Sequence, residues 1–302
     1  NYREDVVYMK LKNYSMLTSM LTLGLATYIA YDNYQISVSE IVVKSNKVPK
    51  NFVNFKILQL SDLHCKEFGN NNIRLIKKIN KINPDIIIAT GDMFSTSLDV
   101  NESFYKLCNE LVNKYPIYYS LGNHETILRV SKLSDRIWIE DYLKKIKKLG
   151  VCLLDNEMVS IDRGNEKINI YGLTLPMMFY RRRFNSDRDE KIELKSEFIE
   201  NLIGKPNLQE FNVLLAHNPL NFEAYANWGS DLIFSGHVHG GAIRLPFVGG
   251  LLSPEISFLP KYKEGFYIKN NSIMIVNRGL GNSSMPVRIL NGPEMILTIL
   301  SN

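Results

Sequence analysis

Cysteine is scarce in this sequence, and the spacing of its three residues argues against two classes of protein. Cys65, Cys108 and Cys152 are odd in number and form no Cys-x-x-Cys pair. Disulfide-framed domains and cysteine-ligated zinc clusters both need paired, closely spaced cysteines. We therefore expect free thiols. Cys65 follows His64 directly, but no catalytic partner pattern accompanies it, so we interpret it as an inert, buried thiol.

The sequence also lacks internal repeats, low-complexity tracts and a long basic stripe. Its composition, 45% apolar and 22% charged over 302 residues, is typical of a globular chain with a sizeable core. The net charge of +5 is mild and favours an anionic substrate or an anionic membrane surface. A nuclease needs basic residues interleaved with aromatic ones along a groove. The one dense basic run is Arg181 to Arg183, so nucleic acid is a disfavoured alternative.

One long uncharged run is present near the start, from Asn13 to Tyr31. Its length is close to the roughly 20 residues that a membrane-spanning helix needs, and Lys10 and Lys12 precede it. Several hydroxyl residues interrupt it, so a buried or interfacial helix is the alternative. We predict an uncleaved membrane helix over 13–31 within an N-terminal segment 1–35, a single domain over 36–302, and an extracytoplasmic site.

Beyond this run, short apolar stretches alternate with helical patterns. A linker-like strand is predicted within 34–49. Further strands are predicted at 55–60, 85–90, 117–121, 212–217, 231–235, 265–277 and 294–300, with a hairpin turning at Gly164 and Asn165. Helices are predicted at 72–82, 102–114, 137–150, 193–203 and 221–228. Continuous apolar runs such as Ile86 to Ile88 indicate strands covered on both faces, so we expect an α/β fold with sheets sandwiched between helices.

Five of the apolar runs end in a polar cluster, and these clusters contain all five histidines. The clusters are "LSDLH" with Asp62 and His64, "TGDM" with Asp92, "LGNHE" with Asn123 and His124, "LLAHN" with His217, and "SGHVH" with His237 and His239. Loops beyond the carboxyl ends of strands gather in one crevice of layered α/β folds. Residues two apart in an extended chain also point the same way, which aims each Asp-x-His or His-x-His pair at a common point.

Carboxylate, amide and imidazole ligands without thiolate suit a catalytic Mn²⁺, Fe or Zn²⁺ centre, and there are enough of them for two ions. Such a pair of ions would share one carboxylate and hold a bridging hydroxide that attacks phosphorus in line. A structural role is common for any single histidine, but it does not explain why every histidine lies in one of the five clusters.

The ordered pattern "DLH…GD…GNHE…H…GHVHGG" resembles the calcineurin-like metallophosphoesterases over about residues 55 to 300. The stretches "GHVHGGAIRLPFVGGLLSP" and "NRGLGNSSMPVRILNGPE" are similar to a membrane-associated bacterial phosphodiesterase subgroup that includes UDP-2,3-diacylglucosamine hydrolases. The resemblance implies two mixed β-sheets packed as a sandwich and flanked by helices. It also implies two divalent metal ions and hydrolysis of a phosphodiester or pyrophosphate bond.

The same resemblance implies a role for each polar residue of the clusters. The ligands of the first metal would be Asp62, His64 and His239. The ligands of the second would be Asn123, His217 and His237, with Asp92 bridging the two ions. His124 would stabilise the transition state and protonate the leaving oxygen, as a general acid beside a departing alkoxide does.

Basic residues outside the clusters are the candidates for substrate binding. Arg244 and Arg278, in loops beyond the histidine pair and a closing strand, are expected to hold a substrate phosphate. Arg181 to Arg183 form either a lip over the site or an ordinary solvated loop. A lipid-linked pyrophosphate is a competing substrate, which the run 13–31 favours. A metal-binding scaffold without catalysis is the alternative function, but such a protein would be expected to lack ligands or His124.

Overall fold

The computed structural model of the chain describes residues 2–96, 102–180, 192–241, 244–245, 249–250, 261–282 and 288–302, with side chains described from residue 11 onward outside 242–250. The strands are β1 (Ser37–Lys44), β2 (Lys56–Leu60), β3 (Ile86–Thr90), β4 (Ile117–Ser120), β5 (Cys152–Leu153), β6 (Glu157–Arg163), β7 (Glu166–Leu173), β8 (Phe211–Ala216), β9 (Leu232–Ser235), β10 (Arg244–Leu245), β11 (Gly249–Gly250), β12 (Gly265–Lys269), β13 (Ser272–Val276) and β14 (Glu294–Ser301). The helices are α1 (Tyr2–Tyr34), α2 (Ile73–Ile82), α3 (Ser103–Leu111), α4 (Asn123–Val130), α5 (Leu133–Lys148), α6 (Ser196–Ile203) and α7 (Phe222–Trp228).

Two mixed six-stranded sheets form the body of the molecule. The first has the order β1-β14-β2-β3-β4-β5, and the second has the order β12-β13-β9-β8-β7-β6. In the first sheet β2 to β5 run parallel, while β14 is antiparallel to β2. In the second sheet β7, β8, β9 and β13 run parallel between the antiparallel edge strands β6 and β12. The predicted class of two mixed sheets with flanking helices is confirmed.

Alternating side chains of these strands build three apolar layers. Because neighbouring residues of a strand face opposite sides, Ile57 and Val213 pack between the two sheets. Leu58 packs on the outer face of the first sheet, in the cluster that includes residues of α2, α3 and α5. Leu214 packs on the outer face of the second sheet with residues of α6 and α7. Strands covered on both faces explain why their sequences are apolar throughout.

Helix α4 and strand β1 are among the elements that differ from the sequence expectation. Helix α4 begins at Asn123, where the polar "GNHE" cluster indicated a loop; Glu125 accepts a hydrogen bond from the Gly122 N–H and caps this helix from within its first turn. Strand β1, expected to be linker-like, is the edge of the first sheet and pairs in parallel with β14 over its whole length.

The uncharged run 13–31 lies within α1, a single helix of 33 residues. From residue 11 to Tyr28 its described side chains are exposed, including Leu21 at 65% and Leu23 at 70%. Among the residues that the structure describes, no helix is long and apolar enough to cross a membrane. The hydroxyls of Thr18 and Thr22 bond to carbonyls one turn earlier, yet they still dilute the apolar character of the helix. The predicted helix is confirmed, but a membrane-spanning one is not supported.

The layer between the sheets gives a test of the fold. Leu232 is fully buried there, whereas Leu208 is 60% exposed in a loop. We expect Leu232→Ala to lower the free energy of unfolding by about 2–5 kcal/mol through lost burial and an unfilled cavity. The matched Leu208→Ala variant is expected to change it by less than about 0.5 kcal/mol. Urea denaturation followed by circular dichroism measures both, and equal losses would contradict this packing.

Candidate metal centre

The polar clusters converge at the carboxyl ends of parallel strands from both sheets. Asp62 and His64 follow β2, Asp92 follows β3, and Asn123 follows β4 in the first sheet. His217 follows β8, and His237 and His239 follow β9 in the second sheet. Three overlapping groups of potential ligands result, in each of which the ligand atoms lie within 4.8 Å of one another: Asp62, His64 and His239; His64, Asp92 and His124; and Asp92, His217 and His237.

Short contacts define the first and the last of these groups. His239 Nε2 lies 3.1 Å from His64 Nε2 and 3.3 Å from Asp62 Oδ1. On the other side His217 Nε2 lies 3.1 Å from Asp92 Oδ2, and the rings of His217 and His237 are 5.2 Å apart. These are two neighbouring clusters of buried nitrogen and oxygen atoms, each able to surround one cation.

Asp92 lies between the two clusters. Its Oδ2 is 3.1 Å from His217 Nε2 and 3.9 Å from His64 Nε2, which belong to different groups. Its Oδ1 accepts the backbone N–H of His124 at 2.8 Å, which fixes the carboxylate plane. One carboxylate with an oxygen facing both ligand sets is the arrangement that a two-metal site requires.

The donor atoms themselves fit divalent cations. Asn123 Oδ1 is buried with no hydrogen-bond partner among the described residues, and His217 Nε2 faces Asp92 without the angle of a hydrogen bond. His217 Nδ1 is held by the Thr90 carbonyl at 2.6 Å, and His64 Nδ1 by the Phe94 carbonyl at 3.1 Å. A carbonyl at Nδ1 requires the proton there, so in the neutral ring Nε2 keeps its lone pair for a metal.

The electrostatics of the site also favour cations. Burial alone would raise the pKa of Asp92, but the imidazoles of His217 and His124 outweigh it and hold that pKa well below its usual range. Burial lowers the pKa of His64 to about 4, so that ring is a neutral ligand. Burial would also lower the pKa of His217, but the charges of Asp92 and Asp62 raise it to about 10. The two buried carboxylates, Asp62 and Asp92, are therefore stabilised by positive charge placed beside them.

The backbone of the ligand loops is strained rather than extended. Asp62, His64, Asp92, His237 and His239 all have φ between 46° and 71°, a left-handed conformation that non-glycine residues rarely adopt. Each such residue costs of order 1–3 kcal/mol and persists where the surrounding structure imposes it. The expectation that an extended chain aims the paired residues at one point is therefore wrong about the backbone, although the side chains do converge.

Close packing at the loop after β4 has a visible cause. Gly122 lies against the Asp92 loop, and a Cβ on it would sit 2.6 Å from the Asp92 backbone nitrogen. Only glycine allows the two ligand loops to approach this closely.

Glu125 is a site residue that the sequence reasoning missed. Its buried carboxylate accepts the N–H groups of Gly122, Asp92 and Met93 at 2.8 to 2.9 Å and the Tyr119 hydroxyl at 2.9 Å. The carboxylate thereby ties the loop after β3 to the loop after β4. The one available signal was its place in the "GNHE" cluster, three residues after a glycine at a helix start.

His124 is the most accessible imidazole of the centre, with 23% of its side chain exposed. The Thr96 N–H donates to its Nδ1 at 3.1 Å. Because Nδ1 accepts, the neutral ring carries its proton on Nε2, which lies 3.9 Å from Asp92 Oδ2. A proton donor thus faces the centre from its open side.

The structure describes the side-chain contacts of one of the two expected substrate arginines, Arg278. Arg278 forms ion pairs with Glu294 at 3.0 Å and Glu264 at 3.4 Å, so its charge is already compensated. Arg244 lies in β10, but its side chain is outside the described residues, as are Arg181 to Arg183 altogether. Cys65 is buried and takes part in no disulfide within the described part of the chain.

Comparison with known proteins decides the family. The family described as "Calcineurin-like phosphoesterase" matches residues 55–241, more than half of the chain and every proposed ligand. The chain belongs to the calcineurin-like phosphoesterases.

Two bacterial relatives cover nearly the whole of this phosphoesterase. It is 27% identical to the uncharacterized metallophosphoesterase YkuE of Bacillus subtilis, over 92% of this chain and 90% of that protein. It is 22% identical to the UDP-2,3-diacylglucosamine pyrophosphatase LpxG of Chlamydia trachomatis, over 93% of this chain and 95% of that protein. A transmembrane protein with a metallophosphoesterase domain from Danio rerio is 21% identical over 95% of this chain and 62% of its own length.

The Glu125 contacts predict a metal-binding defect in this phosphoesterase. In Glu125→Gln the amide N–H group would face the backbone N–H donors, so the loop carrying Asp92 should shift. We expect metal affinity to fall by about 10–100-fold, as for other groups that hold metal ligands in place. The control Tyr119→Phe removes a single donor to the Glu125 carboxylate and should lower metal affinity by less than about 10-fold. Mn²⁺ titration by calorimetry measures both, and an unchanged Glu125→Gln affinity would refute the positioning role.

Proposed function

We propose that this phosphoesterase hydrolyses a phosphodiester or pyrophosphate bond with two divalent cations, drawn from Mn, Fe and Zn. The observation that carries the proposal is the position of Asp92 Oδ2 between His64 Nε2 and His217 Nε2. A shared carboxylate between two nitrogen-rich ligand sets is typical of paired metal sites in phosphatases and nucleases.

The residues divide into two sets in this proposal. The first ion would be held by Asp62, His64 and His239, the second by Asn123, His217 and His237, and both by Asp92. When bound, such ions supply Lewis acidity that polarises a phosphoryl group and acidifies an attacking water. The protein contributes fixed ligand orientation, since backbone groups already hold two of the rings and both carboxylates, those of His64, His217, Asp62 and Asp92.

His124 is proposed as the general acid. Its Nε2–H is directed by the Thr96 N–H on the opposite ring nitrogen, and it lies on the accessible side of the ligand cluster. A leaving oxygen that departs toward this ring would receive the proton. General acid assistance of this kind contributes about 10²–10⁴-fold to rate.

A lipid-linked substrate and a membrane location belong to the proposal as well. The LpxG relative is a pyrophosphatase of a diacylated nucleotide sugar, and the Danio rerio relative is a transmembrane protein. Helix α1 presents exposed leucines such as Leu17, Leu21 and Leu25 beside the 36–302 domain. We propose that α1 associates with a membrane surface and that the site works on its extracytoplasmic side.

Two variants separate metal binding from acid catalysis. Asp92→Asn should weaken metal binding by at least about 100-fold and abolish turnover, because the shared carboxylate charge is lost. His124→Ala should keep both ions and lower kcat by about 10²–10⁴-fold. Metal content by mass spectrometry and hydrolysis of bis(p-nitrophenyl) phosphate give the two readouts. Full hydrolysis in both variants would refute the assignment, and a wild type that binds metals without hydrolysing any phosphate ester would favour a scaffold.

Vesicle flotation tests the role of α1. The full chain should float with anionic vesicles, and the double variant Leu21→Glu with Leu25→Glu should not, because charge opposes insertion of an apolar helix. The matched control carries Leu133→Glu and Ile137→Glu, two exposed apolar residues at the same spacing in α5. It should float like the wild type. Equal behaviour of the two variants would rule out α1 as the membrane element.

A further inference from the structure

We propose that Arg288 and Lys66 form an anion subsite beside the Asp62, His64 and His239 cluster, which holds the second phosphate of a pyrophosphate-class substrate. The inference rests on the proposed hydrolase function and specifies its substrate. Neither residue belongs to the ligand sets, and Arg278, expected from the sequence to bind phosphate, is neutralised by two glutamates.

Arg288 is a buried guanidinium with unused donor capacity. The residue is 4% exposed, and its Nε donates to the Gly281 carbonyl at 2.8 Å. Its Nη2 lies 3.0 Å from His239 Nδ1 and also contacts the Gly281 carbonyl, while its Nη1 has no hydrogen-bond partner among the described residues. An unpaired guanidinium donor at this depth is costly unless an acceptor enters the site.

The contact with His239 indicates which donors an anion would meet. His239 Nε2 faces Asp62 and His64, so it is the nitrogen available to a metal. A neutral ring that binds through Nε2 carries its proton on Nδ1, and Nδ1 can then no longer accept from Arg288 Nη2. In the loaded protein Arg288 Nη2 would therefore keep only its contact with the Gly281 carbonyl, and Nη1 would still have no acceptor among the described residues. A phosphate oxygen satisfies a guanidinium fork of this kind well.

Lys66 supplies the second positive charge. It lies two residues after His64, is partly buried, and has its Nζ 5.1 Å from the centroid of the Phe68 ring. No ion pair of its ammonium group is found within the described part of the chain. The loop that carries Lys66 lies against the segment that holds Arg288. The Lys66 N–H donates to the Leu63 carbonyl at 2.9 Å, and the Gly281 N–H donates to the adjacent Asp62 carbonyl at 2.6 Å. Gly281 in turn accepts from Arg288 Nε, so the two cationic residues belong to neighbouring loops. Neighbouring, desolvated cations attract an anion strongly.

The side chain of Asn33 fixes the backbone of Arg288 in this position. Asn33, in the last turn of α1, donates from Nδ2 to the Arg288 carbonyl at 2.7 Å, and its Oδ1 accepts the Arg288 N–H at 3.3 Å. The subsite therefore lies between the first metal cluster and the end of α1, the helix proposed to contact a membrane. A lipid-linked pyrophosphate would meet both elements.

Binding of two inert ligands tests the subsite. Methylenediphosphonate carries a second phosphonate that methylphosphonate lacks, and calorimetry on the Mn²⁺-loaded full chain gives the ratio of their affinities. We expect Lys66→Gln and Arg288→Gln each to lower this ratio by about tenfold, as loss of a charged anion contact does. The control Lys147→Gln, an exposed lysine on α5, should leave it unchanged. Arg288→Lys should restore part of the ratio because it keeps the charge.

The outcomes separate the subsite from the catalytic proposal. An unchanged ratio in Lys66→Gln overturns the subsite, and this variant decides the matter even if Arg288→Gln loses metal, because Lys66 is not one of the proposed metal ligands. If the wild type hydrolyses bis(p-nitrophenyl) phosphate but the ratio does not respond to either variant, the hydrolase function stands and the subsite fails. If the ratio responds but no phosphate ester is hydrolysed, the subsite stands and the hydrolase proposal fails.

Discussion

Two buried carboxylates, Asp62 and Asp92, impose the main constraint on this molecule. Both carboxylates lie about 4 Å from the same imidazole nitrogen, His64 Nε2. Both are buried, and an uncompensated buried charge costs much free energy. The two sheets bring the carboxyl ends of their parallel strands to the same place, so rings from both sheets surround the carboxylates. The left-handed backbone at the ligand positions is a further cost that only a compensating ligand or network justifies.

A second layer of contacts makes this arrangement rigid. Thr90 and Phe94 carbonyls orient two imidazoles, and Glu125 joins the loops after β3 and β4 through their N–H groups. These partners lie in the first sheet and in α4, which pack in one continuous apolar core. The precision of the site is thus a property of the fold, because a shift of either loop would break several of these contacts together.

The site was predictable from sequence to the extent that its chemistry is local. The histidines and aspartates follow directly after apolar strands, and this position predicted that their side chains meet at one edge of the sheets. Glu125 was missed because its role depends on the loop of Asp92, which is distant in sequence. Arg278 was expected to hold a substrate phosphate, and its ion pair with Glu294 was not visible in the sequence because Glu294 lies on β14, in a different element. Helix α1 was predicted from an uncharged run, but its apolar character falls short of what a bilayer span requires.

The central claim is that Asp92 is shared by two metal ions. Anomalous diffraction from crystals grown with Mn²⁺ tests it most directly. The account predicts two peaks roughly 3.5–4 Å apart. One should lie beside Asp62, His64 and His239, the other beside Asn123, His217 and His237, with the Asp92 carboxylate between them. A single peak, or two peaks that do not share Asp92, would contradict it.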